Sequence, residues 1–262
     1  MAQEIRTQPQ LDAAWIVEAL DRLLACDSVE DAWTVHRQTM EAYGFDWLFY
    51  GFTRFKTQSS FGSSDDMLLL SSMPEDYMDR FMKDEMYRHA PMTRWARDNV
   101  GAMSWAWVSE NMDTLDARQM DVVAFNRTYG LTAGYTVSFK DAQTRNKGAI
   151  ALATGNGTSQ AELDEIWRAH GQNINLLNQA AHLKFTSLPV PKSRLRLSDR
   201  QREVLEWVGD GKTMQDIGVI LGLTQATVEK HLRNAREALD VETTAQAVRK
   251  ASVQNQIFIV ES

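Results

Sequence analysis

Apolar positions change their period several times along the chain. Leu11, Trp15, Ala19, Leu20 and Leu23 recur at helical spacing and predict an amphipathic helix over 9–26. Ala32, Val35, Met40 and Tyr43 predict a second over 28–43, with Ser28 as its cap and Gly44 as its stop. The aromatic run 46–55 and the segment 67–72 read as strands. Pro74 and Pro91 each open a helix, since proline's fixed φ and absent N–H suit a first turn. A short strand over 103–108, a helix over 115–129 and two strands over 133–139 and 147–154 follow, the last two joined by the polar turn DAQTRNK. Helices kept apart from mainly antiparallel strands imply layers. The predicted class is α+β: an N-terminal α/β/α sandwich around a five-stranded antiparallel sheet, then an all-α, four-helix C-terminal domain with a helix-turn-helix.

Beyond the strands, Leu163, Trp167, His170, Ile174, Leu177 and Ala181 are spaced 4, 3, 4, 3 and 4 in a long helix over 160–185. This coiled-coil-like seam suits either self-association or packing on the domain's own sheet, and self-association is slightly preferred. His170 on the seam reads as a packed histidine. Gly155-Asn156-Gly157, just before the helix, lacks the lysine and further glycines of a phosphate loop and reads as a turn. Residues 186–196, TSLPVPKSRLR, read as a linker with two prolines and three basic residues. The chain thus divides into a domain over 1–185, the linker 186–196 and a domain over 197–262.

In the last domain Ser198 can cap a helix carrying Val204, Leu205 and Val208. After the break Gly209-Asp210-Gly211, Thr213 caps a second helix with Ile217, Ile220 and Leu221 inward, and Gly222 turns the chain. Thr224 caps a third helix, 225–239, whose stripe is Val228, Leu232, Ala235 and Leu239. Its other side presents Gln225, Thr227, Glu229, Lys230, Arg233, Asn234 and Arg236. Amide, hydroxyl and guanidinium groups opposite an apolar stripe are what a major-groove recognition helix needs. A small bundle for protein contacts shares the pattern.

Charge sharpens the division. The chain has 262 residues and a net charge of −7. Residues 192–262 hold 11 Lys/Arg against 10 Asp/Glu, and the remainder hold 17 against 25. The acidity belongs to the first domain, so DNA affinity must come from local clusters, Lys192, Arg194 and Arg196 in the linker and Lys212, Lys230, Arg233 and Arg236 beyond it. No apolar run approaches the roughly 18 residues of a membrane span. The start MAQEIRTQPQ lacks a signal pattern, so a cytoplasmic location is expected. Cys26, the single cysteine, reads as a buried small hydrophobe. The five histidines are scattered without metal-ligand spacing, no Gly-x-Ser-x-Gly turn occurs, and Asp65-Asp66 and Asp84-Glu85 read as solvated pairs. No enzyme, metal site or cofactor is expected.

The run LSDRQREVLEW, then GKTMQDIGVILGLTQATVEKHLRNAREALDV, resembles the C-terminal helix-turn-helix of LuxR-type transcription regulators. A weaker resemblance covers residues 10–185. Met73-Pro74-x-x-Tyr77-x-x-x-Phe81, Ala90-Pro91, Trp105 and Gly130-Leu131-x-x-Gly134 are similar to the autoinducer-binding domain of quorum-sensing members. The resemblance implies that a cavity holds an acyl-homoserine lactone, with a Trp donating to the lactone carbonyl and an Asp accepting from the amide N–H. By pattern alone, the aromatic and methionine-rich region around Tyr50, Phe52, Met73, Tyr77, Phe81, Trp95 and Trp107 suits a core as well as an apolar cavity. The chain departs from the family pattern at the anchors. The Trp is Tyr77, a following Tyr is Phe81, the Asp is Ala90, and a Ser or Thr of the last strand is Ala151.

The candidate ligand-binding residues are Phe49, Gly51, Met73, Tyr77, Phe81, Ala90, Trp105, Tyr135 and Ala151. Arg233 is assigned a base contact, with Gln225 and Asn234 as further base candidates. Lys212, Thr213, Thr227 and Lys230 are assigned to phosphates, and Glu229 either accepts from cytosine N4 or lowers affinity. The reading is a homodimeric regulator on an inverted repeat in double-stranded DNA, working with RNA polymerase. Its sensor takes a small apolar signal molecule or works without one. The alternatives are an anti-activator that heterodimerises with another LuxR-type regulator, an acyl-homoserine lactone receptor with altered contacts, and, least favoured, a DNA-regulated enzyme.

Overall fold

The computed structural model describes residues 11–57, 61–62, 64–155, 157–188 and 197–258. The linker cluster Lys192, Arg194 and Arg196, the first ten residues and Asn156 lie outside the described residues. The chain divides into two compact units, one of Met1–Cys26 with Asp31–Thr186, the other of Asp27–Glu30 with Ser187–Ser262.

The first unit begins where the Asp12 carboxylate accepts from Trp15 N–H at 3.0 Å and starts α1, Ala13–Leu24. Helix α2 is Val29–Glu41. Strands β1, Trp47–Thr53, and β2, Leu68–Ser71, pair antiparallel. The two prolines act as the sequence predicts. Pro74 is the N-cap of α3, Glu75–Lys83, and Pro91 is the first residue of α4, Pro91–Asp98. Strand β3 is Gly101–Ser104 and α5 is Ala106–Glu110. In α6, Ala117–Thr128, a capping box joins Asp116 and Gln119. Strands β4, Gly134–Ser138, and β5, Lys147–Ala153, precede the long α7, Gln160–Ser187. All pairings are antiparallel, in the order β2-β1-β5-β4-β3.

Strand alternation sorts side chains to two faces. Tyr50 stacks edge-on against Phe185 and hydrogen-bonds His182 Nδ1 at 2.9 Å, and Tyr135 stacks on Trp167, so α7 covers one face. Helices α3, α4 and α6 cover the other, with Phe49 against Phe81 and Ser138 Oγ donating to Ala96 O. Helices α1 and α2 pack outside α7, where Tyr43 meets Trp15 and His170 and His36 meets Phe185.

Four expectations need correction here. The seam of α7 is not a free surface: Leu163, Ile174, Leu177 and Ala181 are at most 1% exposed within this one chain. Trp167 and His170 point into ring contacts of the same unit. The spacing that suggested a dimer reflects burial between the sheet and α1/α2. Next, 103–108 is not a strand. The ladder ends at Ser104, whose hydroxyl accepts from Ala106 N–H, and Trp105 is already the N-cap of α5. Third, residues 186 and 187 belong to α7 rather than the linker. Finally, Cys26 is half-buried rather than buried, its Sγ donating to Arg22 O.

The second unit contains α8, Asp199–Gly209, α9, Met214–Leu221, α10, Gln225–Ala238, and α11, Thr244–Val253. Ser198, Thr213, Thr224 and Thr243 cap them, each side-chain oxygen accepting a backbone N–H three residues on. Val204, Leu205, Ile217, Val228, Leu232, Ala235, Leu239 and Ala247 close one core. Ile220, expected inside, is 44% exposed. In so short a helix the inward positions are Ile217 and Leu221, one turn apart, with Gly218 between them against the Leu223 carbonyl.

Candidate functional site

Between the sheet and the α3/α4/α6 layer lies a cavity of about 230 Å³. Its floor comes from the inward side of the strands. Phe49, Gly51 and Thr53 of β1 lie beside Ala149 and Ala151 of β5, with Thr136 of β4 beyond them. Small residues at Gly51, Ala149 and Ala151 create the room that larger side chains would fill. The roof carries Met73, Tyr77, Phe81 and Ala90. One wall is Trp105, which lies on Gly134: a Cβ there would meet Leu152 O at 2.5 Å and the indole at 3.0 Å. Helix α6 supplies Val123, Asn126 and Arg127.

Three polar side chains of this cavity, Tyr77, Trp105 and Lys147, donate to groups of the protein itself. Tyr77 OH donates to Asn126 Oδ1 at 3.0 Å, and its ring is stacked between Phe81 and Phe125, at 5.3 and 5.2 Å. Burial pushes the Tyr77 phenol up, so it stays protonated. Trp105 Nε1 donates to Thr136 Oγ1 at 2.9 Å. At the far end Lys147 Nζ donates to Asn99 O at 2.7 Å, and burial lowers its pKa. No Asp or Glu lines the cavity among the described residues.

Eight of the nine predicted ligand residues meet here; Tyr135 does not. Its chain neighbour Thr136 lines the cavity, so the period-two rule turns Tyr135 to α7. There its hydroxyl donates to Asp164 Oδ1 at 2.6 Å and its ring lies 4.0 Å from Trp167. Burial, then the Asp164 carboxylate, push that phenol up to about 12. The same alternation, read from the sequence, points to Thr136 instead. Asn126 was also missed: a single polar residue in an amphipathic helix gives no signal until Tyr77 is placed opposite it.

In the second unit, α9, the left-handed Gly222 and α10 form a helix-turn-helix, with α8 and α11 completing the core. Residues 28–185 match the family model described as autoinducer binding domain. Residues 195–251 match that of bacterial regulatory proteins, luxR family. The chain belongs to the LuxR family of transcription regulators. Like other members it couples an autoinducer-binding domain to a DNA-binding helix-turn-helix, and the family's members are regulators rather than enzymes. It is 26% identical over 243 residues to the transcriptional activator protein AnoR of Acinetobacter nosocomialis, covering 91% of this chain and 97% of AnoR. It is 23% identical over 188 residues to the transcriptional activator protein LuxR of Aliivibrio fischeri, covering 71% and 73%. In fold it is similar to Escherichia coli SdiA, with a TM-score of 0.53 and 17% identity over 93% of this chain and 98% of SdiA.

Within this LuxR-type reader the predicted DNA residues fall into two groups. Gln225, Glu229, Lys230 and Arg233 of α10 and Lys212 before α9 are exposed. Lys212, Lys230 and Arg233 carry no ion pair among the described residues. Asn234 is half-buried on the shoulder of the helix. The two threonines are engaged in capping. Thr213 Oγ1 donates to Asp216 Oδ2 at 2.6 Å, and Thr227 Oγ1 lies 2.8 Å from Thr224 Oγ1. Those bonds hold the Asp216 carboxyl below its usual range and fix the first turns of α9 and α10. Arg236, read as outward, is tied to Thr244 Oγ1 of α11 at 3.0 Å.

Proposed function

We propose that this LuxR-family regulator binds an inverted-repeat operator as a homodimer and recruits or blocks RNA polymerase there. Its sensor takes a small, weakly polar molecule that has no need of an amide acceptor. The observation that carries the sensing half is the cavity wall, where Ala90 stands at the family's Asp position and no other carboxylate compensates. A ligand amide buried without an acceptor loses roughly 1–3 kcal/mol, about ten- to hundredfold in affinity. Ligand binding then stabilises the folded sensor, and with it the dimer, by mass action.

The test is a matched pair of probes: decanoyl homoserine lactone, and its isostere in which an ester oxygen replaces the amide N–H. Calorimetry on the whole protein should show the ester binding at least as well as the amide. Ala90→Asp should turn the preference toward the amide by roughly ten- to hundredfold. Nanomolar binding of the amide to the unaltered protein sinks this reading.

The dimer draws support from a different face than the seam. Val17 and Leu24 on α1, and Leu176 and Leu183 on α7, are each seven residues apart and 51–67% exposed. Lys184 Nζ donates to Leu24 O at 2.8 Å and holds the C-terminal ends of the two helices together. Apolar side chains one heptad apart on adjacent helices suit a two-fold contact. Leu176→Glu with Leu183→Glu should give a monomer by light scattering and abolish selection of inverted repeats from random DNA. A dimer that survives both changes moves the interface elsewhere. The DNA half rests on the unpaired Lys212, Lys230 and Arg233 together with the family assignment.

A further inference from the structure

Asn126 is a polar group of the cavity that is held on one side and presented on the other. Tyr77 OH occupies Asn126 Oδ1, which fixes the amide orientation and leaves Asn126 Nδ2 with no hydrogen bond among the described residues. Tyr77 cannot swing away, because its ring is stacked on both sides. The indole donor of Trp105, by contrast, is spent on Thr136. Asn126 is half-buried and lines the cavity from α6. A ligand oxygen can therefore accept from Nδ2, while a ligand N–H finds no carboxylate.

We propose that Asn126, oriented by Tyr77, is the specificity-determining residue of the sensor and takes the carbonyl oxygen of an ester or lactone head borne on an apolar chain. This rests on the reading that the cavity takes ligands without an amide acceptor. It goes further in naming the anchor and the ligand class. Tyr77 and the asparagine on α6 then form one unit: the phenol, spent on Asn126 Oδ1, aligns a second donor. Asn126 supplies the hydrogen bond, and Tyr77 acts through it as a positioning residue.

The experiment compares the ester isostere of decanoyl homoserine lactone with the parent amide on the whole protein and on three variants, by calorimetry. Asn126→Leu removes the donor and should weaken the ester probe by roughly ten- to hundredfold. Asn126→Asp keeps the acceptor for Tyr77 but replaces the donor with a carboxylate. It should weaken the ester probe by a similar factor, since a carboxylate repels the carbonyl oxygen that the amide donor binds. Tyr77→Phe should weaken the ester less than Asn126→Leu does, because the donor remains but is no longer aligned. The unliganded melting temperature of Asn126→Asp reports whether the fold is kept, and loss of the probe at an unchanged melting temperature is a readout that a merely structural role does not produce. Failure of the unaltered protein to bind the ester overturns the underlying reading of the cavity. Ester binding that is the same in Asn126→Leu and Asn126→Asp as in the unaltered protein overturns the role of Asn126 alone.

Discussion

Helix α10 and the cavity wall formed by α3 and α6 hold their polar groups differently. On α10 the Lys230 and Arg233 charges are exposed, with no ion-pair partner among the described residues. In the cavity the Tyr77 and Trp105 donors are bonded to Asn126 and Thr136. A surface that meets a polyanion can leave charges solvated until the phosphates arrive. A cavity cannot, since a buried donor without a partner costs roughly 1–3 kcal/mol even before a ligand enters. A ligand group must outcompete an internal bond at Trp105, whereas Asn126 Nδ2 is offered at no such loss.

Acid should separate the two regions most strongly. Burial lowers the pKa of His36 to about 4, opposed in part by its bond to Asn178. Burial lowers that of His182 to about 4 as well, with Asp141 pulling the other way. Both folded values lie below the unfolded one, so each histidine's contribution is fully present above pH 6.5 and is lost as pH falls toward 4. Each accounts for up to about 3 kcal/mol over that window. The C-terminal unit buries no histidine among its described residues. Seven of the eight tryptophans precede residue 187, so their fluorescence reports the sensor. Its melting temperature should fall steeply between pH 6.5 and 4.5, while specific DNA binding, followed at a temperature where the sensor is folded, changes less. A fluorescence transition that is flat across this range contradicts the assignment.

A second separation uses one glycine from each region. A Cβ at Gly134 meets Leu152 O at 2.5 Å and the Trp105 ring at 3.0 Å, whereas one at Gly218 meets Leu223 O at 2.8 Å. The obstruction is backbone in both cases and does not yield by a side-chain rotation. Gly134→Ala should cost about 1–3 kcal/mol of sensor stability and weaken the ester probe. Gly218→Ala should cost about as much in the turn between α9 and α10 and lower operator affinity, leaving probe affinity unchanged. Denaturant melts read alongside the two binding assays decide it. If Gly218→Ala moved probe binding, the two regions would not be separable in this way.

These contrasts also explain what was legible in the sequence. The reader was visible almost residue by residue, because Ser198, Thr213 and Thr224 announce helix starts and Val228, Leu232 and Ala235 lie on one stripe. Local rules govern both. The sheet was visible because its strands alternate and its turns are polar. The α7 seam misled, because a 4-3 spacing describes an apolar face and not what covers it: the same pattern serves a dimer and a helix wedged between a sheet and two other helices. Trp105 was given to a strand because the aromatic run continues past Ser104, where the ladder ends and α5 begins. Eight cavity residues were found through resemblance, yet Asn126 was not, since its role depends on a contact 49 residues away in the chain.

The finest separation lies within the reader itself. Arg233 and Lys230 are both exposed on α10, three residues apart and so nearly one turn from each other. Arg233→Ala should cost about 1–3 kcal/mol on the best operator and relax the preference at one base position in each half-site, as expected when a guanidinium bridges guanine O6 and N7. Lys230→Ala should weaken all sequences alike by less than this, and lower the slope of log affinity against log salt by about one. Binding isotherms at several salt concentrations on the selected operator and on single-base variants distinguish the two. Equal loss on every sequence for Arg233→Ala would make it a phosphate contact. The base-reading role would then pass to Gln225 or Asn234, and the half-buried position of Asn234 would favour Gln225, which stands fully in solvent at the first turn of the helix.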